Sequence, residues 1–82
     1  MNRDKNSFPK DFFVEIKNNP NHLARIVVGR DHRGFNSQID IVFSESRKIF
    51  IHVGDLYEIS DEEECVKLSR LKLAKFLNPP AK

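Results

Sequence analysis

Three apolar-alternating runs and a fourth that is apolar throughout, joined by short turns and followed by one long helical run, predict an α+β domain. Its expected form is a four-stranded antiparallel β-meander with one C-terminal α-helix packed on one face, in the order ββββα. Three observations carry this. Apolar residues recur at every second position in Phe12-Val14-Ile16, Ala24-Ile26-Val28 and Ile39-Ile41-Phe43, the period of a strand with one buried face. The turns between runs are only a few residues long, and parallel neighbours need long crossovers. Finally, Ser60 and Glu63 stand in S-x-x-E spacing ahead of a run of helix formers.

The elements follow in chain order. Residues 1–10 are polar apart from Met1 and Phe8 and include Phe8-Pro9, which reads as an extended or loose arm. The domain proper spans 11–78, and 79–82 form a short tail. Strand one begins at Asp11 and is ended by the turn residues Asn18-Asn19-Pro20-Asn21. Strand two runs from His22 to Arg30, and Asp31-His32-Arg33-Gly34 closes a hairpin with Gly34 suited to a left-handed position. Strand three runs from Phe35 to Phe43. After the polar turn Ser44 to Arg47, strand four is expected to end at Gly54-Asp55. The helix then extends from Ser60 to Leu77, where Asn78-Pro79-Pro80 stops it. Cys65, Val66, Ser69, Leu73, Phe76 and Leu77 share one broad helical stripe, expected to dock on the sheet.

Size and charge limit the function classes. The 82 residues suffice for one domain around one core, with no room for a separate catalytic domain. A hydrophobic fraction of 39% supports a folded chain, and a net charge of +2 lacks the strong uniform field of a polycationic nucleic-acid binder. The acids clustered in 55–64 and the bases in 67–82 sit where a helix macrodipole favours each. A single cysteine, Cys65, makes no internal disulfide. The residues MNRDKNSFPK lack an apolar signal core, and no apolar run approaches membrane-spanning length. A soluble, cytoplasmic protein with no membrane contact is the expectation.

No motif for chemistry stands out. His22, His32, His52 and Cys65 lack paired metal-ligand spacing, no glycine-rich phosphate loop occurs, and no nucleophile elbow accompanies the serines. The expectation is a non-enzyme without cofactor or metal.

What does stand out is strand four, where Ile49, Phe50, Ile51 and Val53 are apolar on both faces. One helix covers one face of a four-stranded sheet. Strict alternation assigns Val14, Ile16, Ile26, Val28, Ile39, Ile41, Ile49, Ile51 and Val53 to the covered face. It assigns Phe13, Arg25, Val27, Val42, Phe50 and His52 to the far face. That mixture of aromatic, β-branched and cationic side chains suits a protein partner or a second copy, with Leu68 and Leu71 on the helix as a smaller second patch. The expected function is a small protein-binding module: an inhibitor, an adaptor or a homodimeric subunit. The alternative is a nucleic-acid-binding domain using Arg25, Arg30, Arg33, Arg47 and Lys48 on basic turns, with sheet aromatics stacking bases.

Overall fold

A computed structural model describes residues 8–78 and has the ββββα architecture. Strands β1 (Lys10–Glu15), β2 (His22–Asp31), β3 (Gly34–Phe43) and β4 (Ile49–Ile59) form one open antiparallel sheet in sequence order. Helix α1 (Glu62–Leu77) packs over β2, β3 and β4 on one side. Lys10, assigned by sequence to the arm, is the first residue of β1. The rest of the arm through residue 7 and the tail 79–82 lie outside the described residues.

The core lies between helix and sheet. Ala24, Ile26 and Val28 of β2 and Ile39 and Ile41 of β3 are buried with Cys65 and Leu73 of α1, as the alternation of the sheet and the stripe of the helix require. Phe8 packs against this cluster, edge-on to Phe35 with ring centroids 5.5 Å apart. The described end of the arm therefore supports the helix side of the sheet. Within the core, Ser37 and Ser69 hydroxyls meet at 2.7 Å and Ser69 donates to the Cys65 carbonyl at 2.7 Å, so the two buried hydroxyls satisfy each other. Burial pushes the Cys65 thiol up, away from the reactive thiolate. The last turn leaves this cover: Phe76 and Leu77, expected on the docked stripe, are exposed.

β2 and β3 each extend one residue into the hairpin, to Asp31 and from Gly34, and two further boundaries differ from the sequence reading. Gly54 does not end β4, which continues to Ile59. A Cβ at Gly54 would meet only the flexible end of the Lys72 side chain, which lies over the strand as it runs on. The helix start also shifts by one residue. Asp61, not Ser60, is the N-cap, its carboxylate accepting from the Glu64 backbone N–H at 3.2 Å, and Glu62, Glu63 and Glu64 fill the first turn. At the β2–β3 hairpin, His32 and Arg33 form a two-residue loop between paired Asp31 and Gly34. Gly34 has φ of 128°, where a side chain is disfavoured.

Candidate functional site

No described helix or strand packs on the far side of the sheet, away from α1, yet neighbouring side chains close its middle, where Asp40 and Val42 are fully buried. Its face is set by register: Phe13 pairs with Arg25, Arg25 with Asp40, and Asp40 with His52, so one row crosses all four strands. Val27 lies beside Asp11 and Gln38, and Val42 beside Leu23 and Ile49. Of the residues expected on this face, Phe13, Arg25, Val27, Val42 and His52 are brought together, but Val42 is fully buried beneath its neighbours and offers no surface to a partner.

Phe50 is a correction. Its ring stacks on His22 at 4.5 Å and lies 5.1 Å from Phe43. His22 and Phe43 pair two positions along from Ala24 and Ile41, which places this aromatic cluster on the helix side of the sheet. The cause is a register shift. Ile41 pairs with Ile51 but Val42 with Ile49, so Phe50 is the extra residue of a bulge. Beyond that bulge the faces exchange, and Ile49, assigned by alternation to the core, is on the far face. A second shift between Ile39 and Asp40 skips Val53, which packs against the core. The doubly apolar stretch is thus a strand whose period of two is broken twice.

The centre of the far face is polar and self-satisfied. Asp40 is fully buried, yet it receives the Gln38 amide at 2.8 Å and His52 Nδ1 at 2.7 Å. His52 Nε2 reaches Asp55 at 3.0 Å. A neutral imidazole has one N–H, so both contacts are donor-to-carboxylate only when the ring is protonated. The Asp40 and then the Asp55 hydrogen bonds accordingly hold the His52 pKa above its ordinary value. Arg25 reaches Asp11 at 3.6 Å and the Arg47 guanidinium lies 4.8 Å over the Phe13 ring, so the aromatic anchor expected at Phe13 is capped from within the chain. Arg47 has φ of 65° in its turn, a local geometry that alternation does not register.

Leu68 and Leu71 belong to the opposite layer. Leu68 is half-buried, whereas Leu71 is exposed and lines a shallow apolar groove with Val66, Lys67 and Arg70 on the outer helix. The basic residues do not form one patch either. Arg30 and Arg33 are at one end of the sheet and Arg47 and Lys48 at the other, separated by the length of β3, about 30 Å. Arg33 also faces Asp31 and Glu58 at 3.5 Å, and Arg30 lies over the Phe35 ring at 5.5 Å.

The strongest exposed feature is one that alternation points to only indirectly. Ile49, Phe50 and Ile51 are consecutive on edge strand β4 and are 52%, 50% and 38% exposed, with Phe43 beside them at 39%. The bulge turns them outward on both sides of the strand. For chemistry the described residues supply little. His52 commits both nitrogens to carboxylates, and no group of three His, Cys, Asp or Glu side chains is arranged to hold a metal ion among the described residues. Also among the described residues, no helix is long and apolar enough to cross a membrane. No family model, curated protein or solved structure matches the chain.

Proposed function

We propose that this chain is a non-enzymatic protein-binding module that docks through the β3–β4 rim of its sheet. The supporting observation is the exposure of Ile49, Phe50 and Ile51 in succession on an edge strand. Scattered exposed apolar residues are ordinary, but a contiguous group on an unpaired strand edge is an association site unless something covers it. Covering the exposed halves of these three side chains contributes on the order of 3 kcal/mol before association costs. The far face contributes its rim, where Ile49 and His52 adjoin the strand, while its closed polar centre offers specificity. A nucleic-acid reading has less support, since its cations are split between opposite ends and mostly engaged by acids or aromatic rings within the chain.

Site-directed photo-crosslinking tests this reading. A benzophenone side chain at position 49 or 50 is expected to give a discrete protein adduct. The same probe at exposed Lys17 gives none. Mass spectrometry of the adduct identifies the partner, and the purified partner then reproduces the cross-link. Absence of adducts from both rim positions, or equal labelling from Lys17, overturns the proposal.

A further inference from the structure

We propose that the occupant of this rim is an extended acidic segment of another protein, laid along the free edge of β4. Its apolar side chains cover Ile49, Phe50 and Ile51, and its carboxylates meet Lys48 and Lys72. The proposal rests on the binding role given to the rim and names the partner's chemistry. β4 pairs only with β3, so its outer backbone groups are open to an added strand. The shifts at Phe50 and Val53 kink that edge, which suits a short peptide better than the long straight edge of another sheet.

Charge identifies the peptide. Gly54 pairs with buried Ile39 and so lies on the helix side, where the Lys72 side chain passes over it with Nζ 3.4 Å from the place a Cβ would occupy. An ammonium group is thereby held above β4 about 10 Å from Ile51, three residues along the strand. On the helix, Lys75 follows Lys72 at i+3 and extends this cationic flank. At the other end of the apolar group stands Lys48, immediately before Ile49. All three lysines are exposed, and none forms an ion pair among the described residues.

No acid lies between Lys48 and Gly54, and the carboxylates across the sheet, Asp40 and Asp55, are turned to His52. The rim is therefore apolar in the middle and basic at both ends, and a segment of opposite pattern complements it: acid, apolar centre, acid. Both ends being basic, charge favours neither strand direction. A basic peptide meets like charge at each end. A phosphodiester backbone supplies acceptors but no N–H donors for the carbonyls of the edge. The six residues from Lys48 to Gly54 span about 20 Å, which a peptide of about six to eight residues covers.

Fluorescence anisotropy with the full chain tests this. The probe is the fluorescein-labelled octapeptide EEVITVEE, and its counterpart KKVITVKK carries lysine for every glutamate. EEVITVEE is expected to bind with Kd on the order of 100 µM, about tenfold tighter than KKVITVKK. Lys48→Glu and Lys72→Glu each weaken EEVITVEE about fivefold and strengthen KKVITVKK, a gain that misfolding cannot produce. Lys17→Glu, at the opposite edge of the sheet, changes neither. Equal affinity for the two probes, or a loss on Lys72→Glu no larger than on Lys17→Glu, overturns the proposal. Light scattering that shows twice the 9.6 kDa of one chain at about 100 µM, lost on Phe50→Ser, makes a second copy the occupant and overturns the acidic peptide. Adducts from position 49 with a partner whose contacting segment carries no acids, beside no binding of EEVITVEE, overturn the peptide chemistry and leave the binding module standing.

Discussion

Ile39→Ala and Ile49→Ala form a paired perturbation that tests the exchange of faces on β4. Alternation places both side chains in the core. In the structure Ile39 is fully buried between sheet and helix, whereas Ile49 lies beyond the bulge and is 52% exposed. Truncating isoleucine to alanine removes three carbons, roughly 2.4 kcal/mol of transfer energy when all are buried. At Ile39 the cavity left under the helix adds to this, for a total of about 3–4 kcal/mol. At Ile49 only half the transfer applies and water fills the space, so the cost is about 1 kcal/mol. Urea unfolding followed by far-ultraviolet circular dichroism suits a chain with no tryptophan and one exposed tyrosine. With a slope near 1 kcal/mol per molar urea for a small domain, the midpoints fall by roughly 3 M and 1 M respectively. Equal losses at the two positions refute the bulge at Phe50 and return Ile49 to the core.

Two further outcomes follow from the same geometry. The His52 ring, titrated by NMR, shows a pKa above the usual histidine value, and Asp40→Asn lowers it because Asp40 makes the leading contact. Since the folded pKa is the raised one, this contribution to stability is fully present below the unfolded value near 6.5. It is lost as pH rises through the folded value, so unfolding midpoints decline across that window, and a slope of opposite sign contradicts the two-carboxylate cradle. Asp61→Ala costs about 1 kcal/mol by removing the carboxylate that caps Glu64, while Ser60→Ala changes stability by a few tenths; the reverse order in denaturation restores the capping box at Ser60.

The order of elements was legible because each was announced by local chemistry. Period-two runs, Asn-Pro and Asp-x-x-Gly turns and an acidic helix start act over a few residues, and the fold obeys them. The helix stripe through Cys65, Ser69 and Leu73 was legible for the same reason. Side-chain placement on β4 was not, because a bulge is a property of two strands at once. Nothing between Ile49 and Val53 marks Phe50 as the residue that β3 leaves unpaired. Gly54 illustrates the same limit: read alone it is a strand end, and only its pairing with Ile39 shows that the strand runs on through it. The partner-binding set was dispersed by these effects, with Phe13 capped by Arg47, Phe50 moved to the helix side and Leu71 left on the outer helix.

The polar row across the far face changes where binding energy can come from. A carboxylate as buried as Asp40 is tolerated only while its hydrogen bonds are made, and both of its side-chain partners, Gln38 and His52, reach it from the exposed surface. A partner pressing an apolar group onto this centre displaces Gln38 or His52 and strands the Asp40 charge, a cost that exceeds the gain from one covered methyl group. The centre therefore repels apolar ligands while tolerating water. The rim at Ile49, Phe50 and Ile51 carries no such penalty, since those side chains make no hydrogen bonds to lose. Association is steered to the strand edge by the difference between these two costs, and this is why the edge, rather than the broad face that alternation marks out, is the surface a partner gains most by covering.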